Sequence, residues 1–588
     1  MRTDIQTLRG LAVSLVVLYH AEIGVIGGYL GVDVFFVISG YLITGLICRN
    51  LDAGQFSFSD FYWRRAKRLL PAAYVTFFFT SLAMVGLATA TELSSYVQQV
   101  LGAITFTANF VLAEQVNYFD TAAAFKPLLH VWSLAVEEQY YFLAPLIFWI
   151  IPKHLRVRVV IGFLAVSLAL CFAFARSKPH YTFFMLPTRS WELSIGALLA
   201  VGSFPQLGAP AHRMLGSCAI IVLVLLSVQP IDEIHPRWDA LLVCVATALA
   251  IQTRPGILER GPLAFALARI GDISFSLYLV HWPIFSIVRQ VYFGELPLSL
   301  RIACIAISIL LAVALYRYVE RPFHLGEFRP SRIVLSAVSA LLFVTTAGPW
   351  LYLHLSSHAA DWVELRRPNR GLDQNCDQTS GAFTIWHRCQ TASDPKVAIW
   401  GDSFAMHLVS GVVAQDHGLG LVQLTRSTCS PVLPDSPEPA ILNNASCADF
   451  NWSVFNHLRQ SEAIKYVILA TAYNPAKLQS TVKALRAIGK RVIFVAAPPS
   501  IGVNFSPCVE RQNTGQLTFN APLNCDFGLA ASNVRGSDLI KGAKDLAAAE
   551  GVAVIWPSDV LCDIETCHTH DGRLPFLCRL RPFIELWI

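Results

Sequence analysis

LRGLAVSLVVLYH, residues 8–20, decides the fold of the first half of this chain. It opens a succession of apolar runs, each about 15 to 22 residues long, the length a helix needs to cross about 30 Å of hydrocarbon. The runs lie near 8–26, 29–48, 72–90, 97–113, 132–151, 158–175, 190–203, 214–229, 239–252, 272–290, 300–318 and 332–353. Composition agrees. Soluble domains carry about 25% charged residues, whereas this 588-residue chain has 14%, with 54% hydrophobic residues and a mean hydropathy of +0.50. Beyond residue 353 the runs shorten to strand length, leaving a soluble part of roughly 230 residues, the size of one domain.

Basic loops set orientation in a membrane chain. CRNLDAGQFSFSDFYWRRAKRLLP (48–71), PKHLRVR (152–158), TRPGILERGPLAFALARIGD (253–272) and YRYVERPFHLGEFRPSR (316–332) are the basic ones. All four share a side if the partly polar run at 97–113 does not cross. Eleven spans then remain, about ten plus one that links to the soluble part, and that part emerges on the outer face. No cleavable leader precedes the first run, because YHAEIG supplies no small-residue cleavage site. The net charge of +5 comes without a basic stripe interleaved with aromatics, so nucleic acid is not an expected partner.

The cysteines divide the same way. Cys48, Cys171, Cys218, Cys244 and Cys304 lie in or beside apolar runs, where a thiol behaves as a small hydrophobe. Eight of the nine after residue 370 form near couples: Cys376 with Cys389, Cys429 with Cys447, Cys508 with Cys525, and Cys562 with Cys567. Such couples predict local disulfides in an oxidising compartment. No two of them show the two-residue gap of a zinc knuckle, so no metal is expected. Cys578 is left over.

Ionisable side chains inside lipid are costly and mark function by default. Arg9 and His20 are eleven residues apart, about 16 Å along a helix and nearly on one face. A channel wall could use the arginine for a phosphate or carboxylate and the histidine for proton transfer. A helix-end arginine and a histidine satisfied by a neighbouring helix is the alternative. Asp33 and Ser39 fall in the second run, and His130, Glu137 and Glu138 at the outer end of the run at 132–151. Arg189 and Glu192, three apart, can pair, and His281 sits mid-span before a Trp-Pro break.

Five motifs in order, LRGLAVSLVVLYH (8–20), GGYLGVDVFFVISGYLI (27–43), FYWRRAKRLLPA (61–72), HVWSLAVEEQYYF (130–142) and SLYLVHWPI (276–284), resemble the membrane acyltransferase family 3 over residues 4 to 325. The resemblance implies transfer of an acyl group, commonly acetyl, from cytoplasmic acyl-CoA across the inner membrane to an extracytoplasmic glycan. The family's Arg-x(10)-His maps onto Arg9 and His20, with His20 as proton acceptor or transient acyl carrier.

The soluble part alternates strand-like stretches (KVAIW, LVQLT, KYVILAT, RVIFVAA, VAVIW) with helix-like ones such as LQSTVKALRAIG, a pattern that predicts a parallel sheet with helices on both faces. Ser403 follows the strand VAIW and opens a helix, at the sheet edge where chemistry sits in such folds. Helix-terminal amides there could stabilise an oxyanion. An ordinary Asp or Ser N-cap would produce the same stretch. WGDSFAMHL (400–408) is similar to the first block of SGNH hydrolases, over about residues 395 to 576. That resemblance makes Ser403 the nucleophile and implies an oxyanion site for which Gly401 and Asn474 are the candidates. The family's Asp-x-x-His base has no match after residue 235; Asp232 to His235 lies in a membrane-domain loop, and His568 and His570 are the substitutes. LCRLRPFIELWI (577–588) reads as a non-family ending.

The expected architecture is therefore a polytopic all-α membrane domain (1–325), a linking helix and linker (326–390), and an α/β SGNH-like three-layer domain (391–588). The expected donor is acyl-CoA, acetyl-CoA above all, with membrane lipid and a surface polysaccharide or lipid-linked glycan as partners. A carrier without chemistry of its own, delivering acyl groups or glycans to a separate enzyme, is the competing class.

Overall fold

The computed structural model describes residues 2–115, 123–203, 209–232, 234–325, 332–355, 359–366, 369–378, 384–415, 418–433 and 445–570. Cys578 and the ending 577–588 lie outside the described residues. The chain divides into two compact units, Met1–Val363 and Glu364–Ile588.

The first unit is helical: α1 Thr3–His20, α2 Gly31–Asp52, α3 Phe58–Leu87, α4 Ala90–Ile104, α5 Ala108–Gln115, α6 Val131–Ile150, α7 Arg156–Phe174, α8 Pro179–Phe184, α9 Leu186–Val201, α10 Ala209–Val228, α11 Trp238–Thr253, α12 Pro262–Asp272, α13 Ser274–Val291, α14 Leu298–Leu315, α15 Arg321–Leu325 and α16 Arg332–Leu355. Among the described residues, six helical segments are long and apolar enough to cross a membrane, or seven if α12 and α13, bent by 72°, form one span. The helices that fall short are shorter or carry charges expected from the sequence: Arg9, buried, in α1, Glu137 and Glu138, half-buried, in α6, and Arg189 and Glu192, buried, in α9.

Two sequence expectations are corrected, the end of the first helix and the basic segments, whereas the run at 97–113 is interrupted, in keeping with its reading as a segment that does not cross. The first helix runs from Thr3 to His20, not to residue 26, because Glu22 and Gly24 take positive φ and turn the chain. The segment 97–113 is two helices broken at Thr105–Thr107, where Phe106 has φ 56°. The basic segments around Arg64–Arg68 and Pro262–Asp272 are helical, in α3 and α12, and not loops.

Helices of opposite direction share two ends. At one, Arg2 donates to Tyr41 Oη (3.0 Å) and to the Ile251 carbonyl (2.7 Å), while Lys153 and Arg156 clasp Asp52 at 2.9 and 2.7 Å. A cavity of about 300 Å³ lies there, lined by Tyr41, Arg49, Asp52, Lys153 and Arg156 among others. At the opposite end Arg289 and Arg301 pair with Glu22 at 2.9 and 3.0 Å, and Gly27 N–H donates to the Ser227 carbonyl. α2 and α9 meet backbone to backbone: a Cβ on Gly40 would stand 2.0 Å from the Leu193 carbonyl oxygen, and one on Gly196 equally close to that of Val37. Small residues allow such approach where lipid gives no hydrophobic drive. α16 packs on α3 and α4, with Ser81 Oγ donating to the Thr345 carbonyl (3.0 Å).

The second unit is built on a parallel five-stranded sheet, order β2-β1-β3-β4-β6, from β1 Val397–Gly401, β2 Leu421–Thr425, β3 Tyr466–Ala470, β4 Arg491–Val495 and β6 Ala553–Ile555. β5 Phe527–Gly528 and β7 Thr566–Cys567 form a separate antiparallel pair. Alternate strand residues face two cores, Ala398, Trp400, Val467 and Leu469 one way and Val397, Ile399, Ile468 and Ala470 the other. Helices cover both faces, as the fully buried strands of a parallel sheet require. All four cysteine couples are bonded: Cys376–Cys389, Cys429–Cys447, Cys508–Cys525 and Cys562–Cys567.

Candidate functional site

Two clusters of buried polar groups stand out in the helical unit. The first is centred on Arg189, which is fully buried in α9 and three residues before Glu192. Its guanidinium lies 3.3 Å from Asp33 of α2 and 3.0 Å from Glu192, both fully buried as well. Phe36, Trp132 and Phe183 surround it with ring faces 5.3–5.6 Å away. The cluster extends through His235, whose Nε2 is 3.2 Å from Arg189 Nη1 and whose Nδ1 is 3.5 Å from Asp239 Oδ1, to Tyr29, which donates to Asp239 Oδ2 at 2.8 Å. The Asp232-x-x-His235 match is thus no catalytic dyad. Asp232 pairs with Arg237 and His235 with the cluster. Ligand atoms of Asp33, Glu192 and Cys244 lie within 4.8 Å of one another. A metal there would have to share the space with Arg189, which already supplies the positive charge between the two carboxylates.

The second cluster gathers at the end of α1. Arg9 is buried in that helix, its Nη1 3.3 Å from Gln6 Oε1, and interacts electrostatically with Arg68, Glu320 and Glu137. Glu137 accepts from Ser39 (2.9 Å) and Tyr141 (3.2 Å), while Glu138 beside it interacts with Arg65. Eleven residues beyond Arg9, the His20 ring lies 4.2 Å from the Trp282 ring and 5.4 Å from that of His281, which is 5.8 Å from His130. Arg289 fixes the helix end by donating to the His20 carbonyl at 2.7 Å. Three residues singled out in the sequence, from α1, α13 and the residue that precedes α6, therefore share one junction. Gln6, Glu320 and Trp282 join only through the fold. Nothing in local spacing signals them.

In the second unit Ser403 stands just past the carboxyl end of β1, buried, as the first residue of helix Ser403–Ala414. β1 is flanked by β2 and β3, so Ser403 occupies the point where the strand order reverses, the ligand crevice of open parallel sheets. Gly401 serves close approach: a Cβ there would lie 2.0 Å from the Ala470 carbonyl oxygen. The N-cap is Asp402, not Ser403. Its Oδ1 accepts from Phe404 N (2.9 Å), and its Oδ2 from Thr471 Oγ1 (2.8 Å) and Ala472 N (2.7 Å). Burial raises its carboxyl above the usual range, and the three donors pull the other way. Replacing Asp402 by alanine removes a cap worth about 1 kcal/mol and leaves buried donors that cost about 1–3 kcal/mol more. Thermal unfolding of the full chain in detergent should show that loss in the Ser403-bearing unit.

Asn474 lies beyond β3, where its Oδ1 accepts from Ala476 N at 3.0 Å and caps the turn Pro475–Leu478. His568 is held between Asp526 (3.0 Å) and Asp563 (3.4 Å), and His570 Nε2 is 2.9 Å from the Asn524 carbonyl. Both histidines are thus tied to the β5/β7 pair. Hydrogen bonding to Asp526 raises the His568 pKa above its ordinary 6.5. The folded state then holds that proton more tightly than the unfolded one. The resulting stability is complete below pH ~6.5 and fades as pH climbs through the raised value. With the side chain 45% exposed, His568→Ala should cost under ~1 kcal/mol at pH 5.5 and nothing at pH 9 (both by denaturant unfolding).

A family model described as "Acyltransferase domain" matches residues 2–317, and one described as "SGNH domain (fused to AT3 domains)" matches residues 375–577. A Staphylococcus aureus protein named "Putative O-acetyltransferase" is 33% identical over 348 residues, 54% of this chain and 56% of its own length. A "Putative membrane-bound transacylase" of Komagataeibacter xylinus is 28% identical over 61% of this chain and 92% of its own. A "Putative peptidoglycan O-acetyltransferase" of Bacillus subtilis is 29% identical over 55% of each. The chain thus spans just over half the length of the first of these relatives. No solved structure matches.

Proposed function

From a chain that belongs to the membrane acyltransferase family, here fused to an SGNH domain, we infer transfer of acetyl from cytoplasmic acetyl-CoA to hydroxyls of an extracytoplasmic polysaccharide such as an O-antigen. The protein is a multi-pass membrane acyltransferase, and the finer reading rests on one observation: His20 sits in a junction of imidazoles, and Arg9 lies eleven residues earlier on the same helix. Arg9 would hold a phosphate or carboxylate of the donor by charge-assisted hydrogen bonds. The rise of about 16 Å from Arg9 to His20 suits an extended pantetheine arm reaching the thioester to the ring.

Acyl transfer would proceed in three displacements. His20 takes the acyl group as the thiol departs, Ser403 Oγ receives it on the outer side as its proton returns to His20, and the sugar hydroxyl takes it last, its proton returning to Ser403 Oγ. The amides at the start of helix Ser403–Ala414 are oriented to stabilise an oxyanion there. Four disulfides in the Ser403-bearing unit favour an oxidising compartment. The gathering of Arg2, Lys153 and Arg156 at the end opposite His20 favours that end as cytoplasmic. The bacterial inner membrane, with an extracytoplasmic C-terminal unit, is the location that fits both.

Peptidoglycan is the second acceptor, favoured by the name of the Bacillus relative. Purified chain given acetyl-CoA and either O-antigen or peptidoglycan fragments separates the two by which becomes esterified. Ser403→Ala should still release about one thiol per protein from acetyl-CoA in a single round, while ester on the glycan falls by at least a hundredfold. Unchanged ester in that variant would make the outer unit a bystander and the helical unit a carrier serving another enzyme.

A further inference from the structure

His281 is fully buried and its tautomer is fixed by its surroundings. Nδ1 faces two carbonyl oxygens, Leu277 at 3.1 Å and Tyr278 at 2.8 Å. Carbonyls only accept, so Nδ1 carries the hydrogen and the lone pair resides on Nε2, which is buried without a hydrogen-bond partner among the described residues. His130 repeats the arrangement in mirror form. Its Nε2 is 3.1 Å from the Leu279 carbonyl, and its Nδ1 is buried without a partner. Two imidazoles thus present basic nitrogens at the junction that holds His20. A buried acceptor left unmade is destabilising, and a purely structural histidine would be expected to use both nitrogens. Arg289, paired with Glu22, is a charged neighbour of this junction, while Tyr278 donates to the His130 carbonyl and Trp282 to the carbonyl of the buried Lys126.

The His20 and His281 rings are 5.4 Å apart and inclined by 30°. The rings are stacked in the resting protein, with His281 Nε2 unbonded to His20, and catalytic contacts commonly tighten only when substrate is bound.

We propose that His281 Nε2 is the base that receives the proton of His20 as His20 takes up the acyl group, with His130 Nδ1 as the second acceptor beside it. This rests on His20 being the acyl acceptor. In the step, the thioester C–S bond breaks and a C–N bond to His20 forms. The imidazole proton of His20 moves to His281 Nε2 and then to the departing thiolate. The products are acyl-His20, neutral His281 and free thiol.

The test uses full-length protein in proteoliposomes with acetyl-CoA and a glycan acceptor, following thiol release. His281→Gln keeps much of the side-chain bulk and an N–H for the two carbonyls, but its amide oxygen is too weak a base. The expected result is a kcat at least a hundredfold lower with KM within threefold of wild type. A kcat within threefold of wild type overturns the proposal. Should that variant not fold, the wild type labelled with 15N-histidine decides: His281 protonated at Nδ1 and bare at Nε2 supports the base, and a hydrogen on Nε2 overturns it. The two readings fail separately. If His20→Ala still forms ester, the acyl-His20 reading falls and takes this inference with it. If only His281→Gln is silent, the inference falls alone.

Discussion

His20→Ala should abolish acetyl-ester formation on surface glycan while the protein still inserts and folds. On the proposed mechanism the substitution removes the group that takes the acyl from the donor, and neither neighbouring imidazole is equivalent. The Nε2 of His281 belongs to a ring pinned by two carbonyls, and His130 is pinned by the Leu279 carbonyl. Loss of a nucleophile together with its proton chemistry lowers rates by about a thousandfold or more. His20 is half-buried at the end of α1 and its backbone is held by Arg289, so the truncation costs little stability. Alkaline release of acetate from surface glycan of cells expressing each form reads the outcome. Ester at more than a tenth of the wild-type amount would mean that His20 is a packing residue.

Arg189→Met should have the largest effect on stability. Asp33 and Glu192 are both fully buried and lie 3.3 and 3.0 Å from the guanidinium that separates them. Removing that cation leaves two carboxylates in a low-dielectric setting with His235 as the remaining basic neighbour. Breaking a buried ion group by deleting one partner costs about 3–5 kcal/mol, a large part of a domain's typical total of about 5–15 kcal/mol. The variant should accumulate poorly in membranes and melt far below wild type in detergent. Replacing all three together, Asp33→Asn, Glu192→Gln and Arg189→Met, should recover much of the loss, because no uncompensated charge remains. Wild-type melting of Arg189→Met alone would show that the cluster contributes nothing to the fold.

The sequence carried the class of each unit, because apolar length and disulfide-range cysteine couples are local properties. It placed Arg9 and His20 on one face for the same reason, since helical periodicity needs no tertiary knowledge. It also paired Arg189 with Glu192 across a single turn. It could not supply their third partner, Asp33, or His235, because α2, α9 and the segment before α11 meet only in the folded unit. The approach of His281 to His20 was hidden likewise, across 261 positions. The end of the first helix was misread where a positive φ decides it, at Glu22, which hydropathy does not register. Asp402, rather than Ser403, caps its helix. The Gly-Asp-Ser corner is compatible with either, and only the hydrogen bonds from Phe404, Thr471 and Ala472 decide it.

Sidedness tests the central claim most directly. Acetyl-CoA does not cross membranes, so proteoliposomes of sorted orientation can receive labelled donor on one face and glycan acceptor on the other. Ester should form only when the donor meets the face bearing Arg2, Lys153 and Arg156 and the acceptor meets the face bearing the disulfide-linked unit. Ester formed with donor and acceptor both confined to the disulfide-bearing side would contradict transfer across the bilayer.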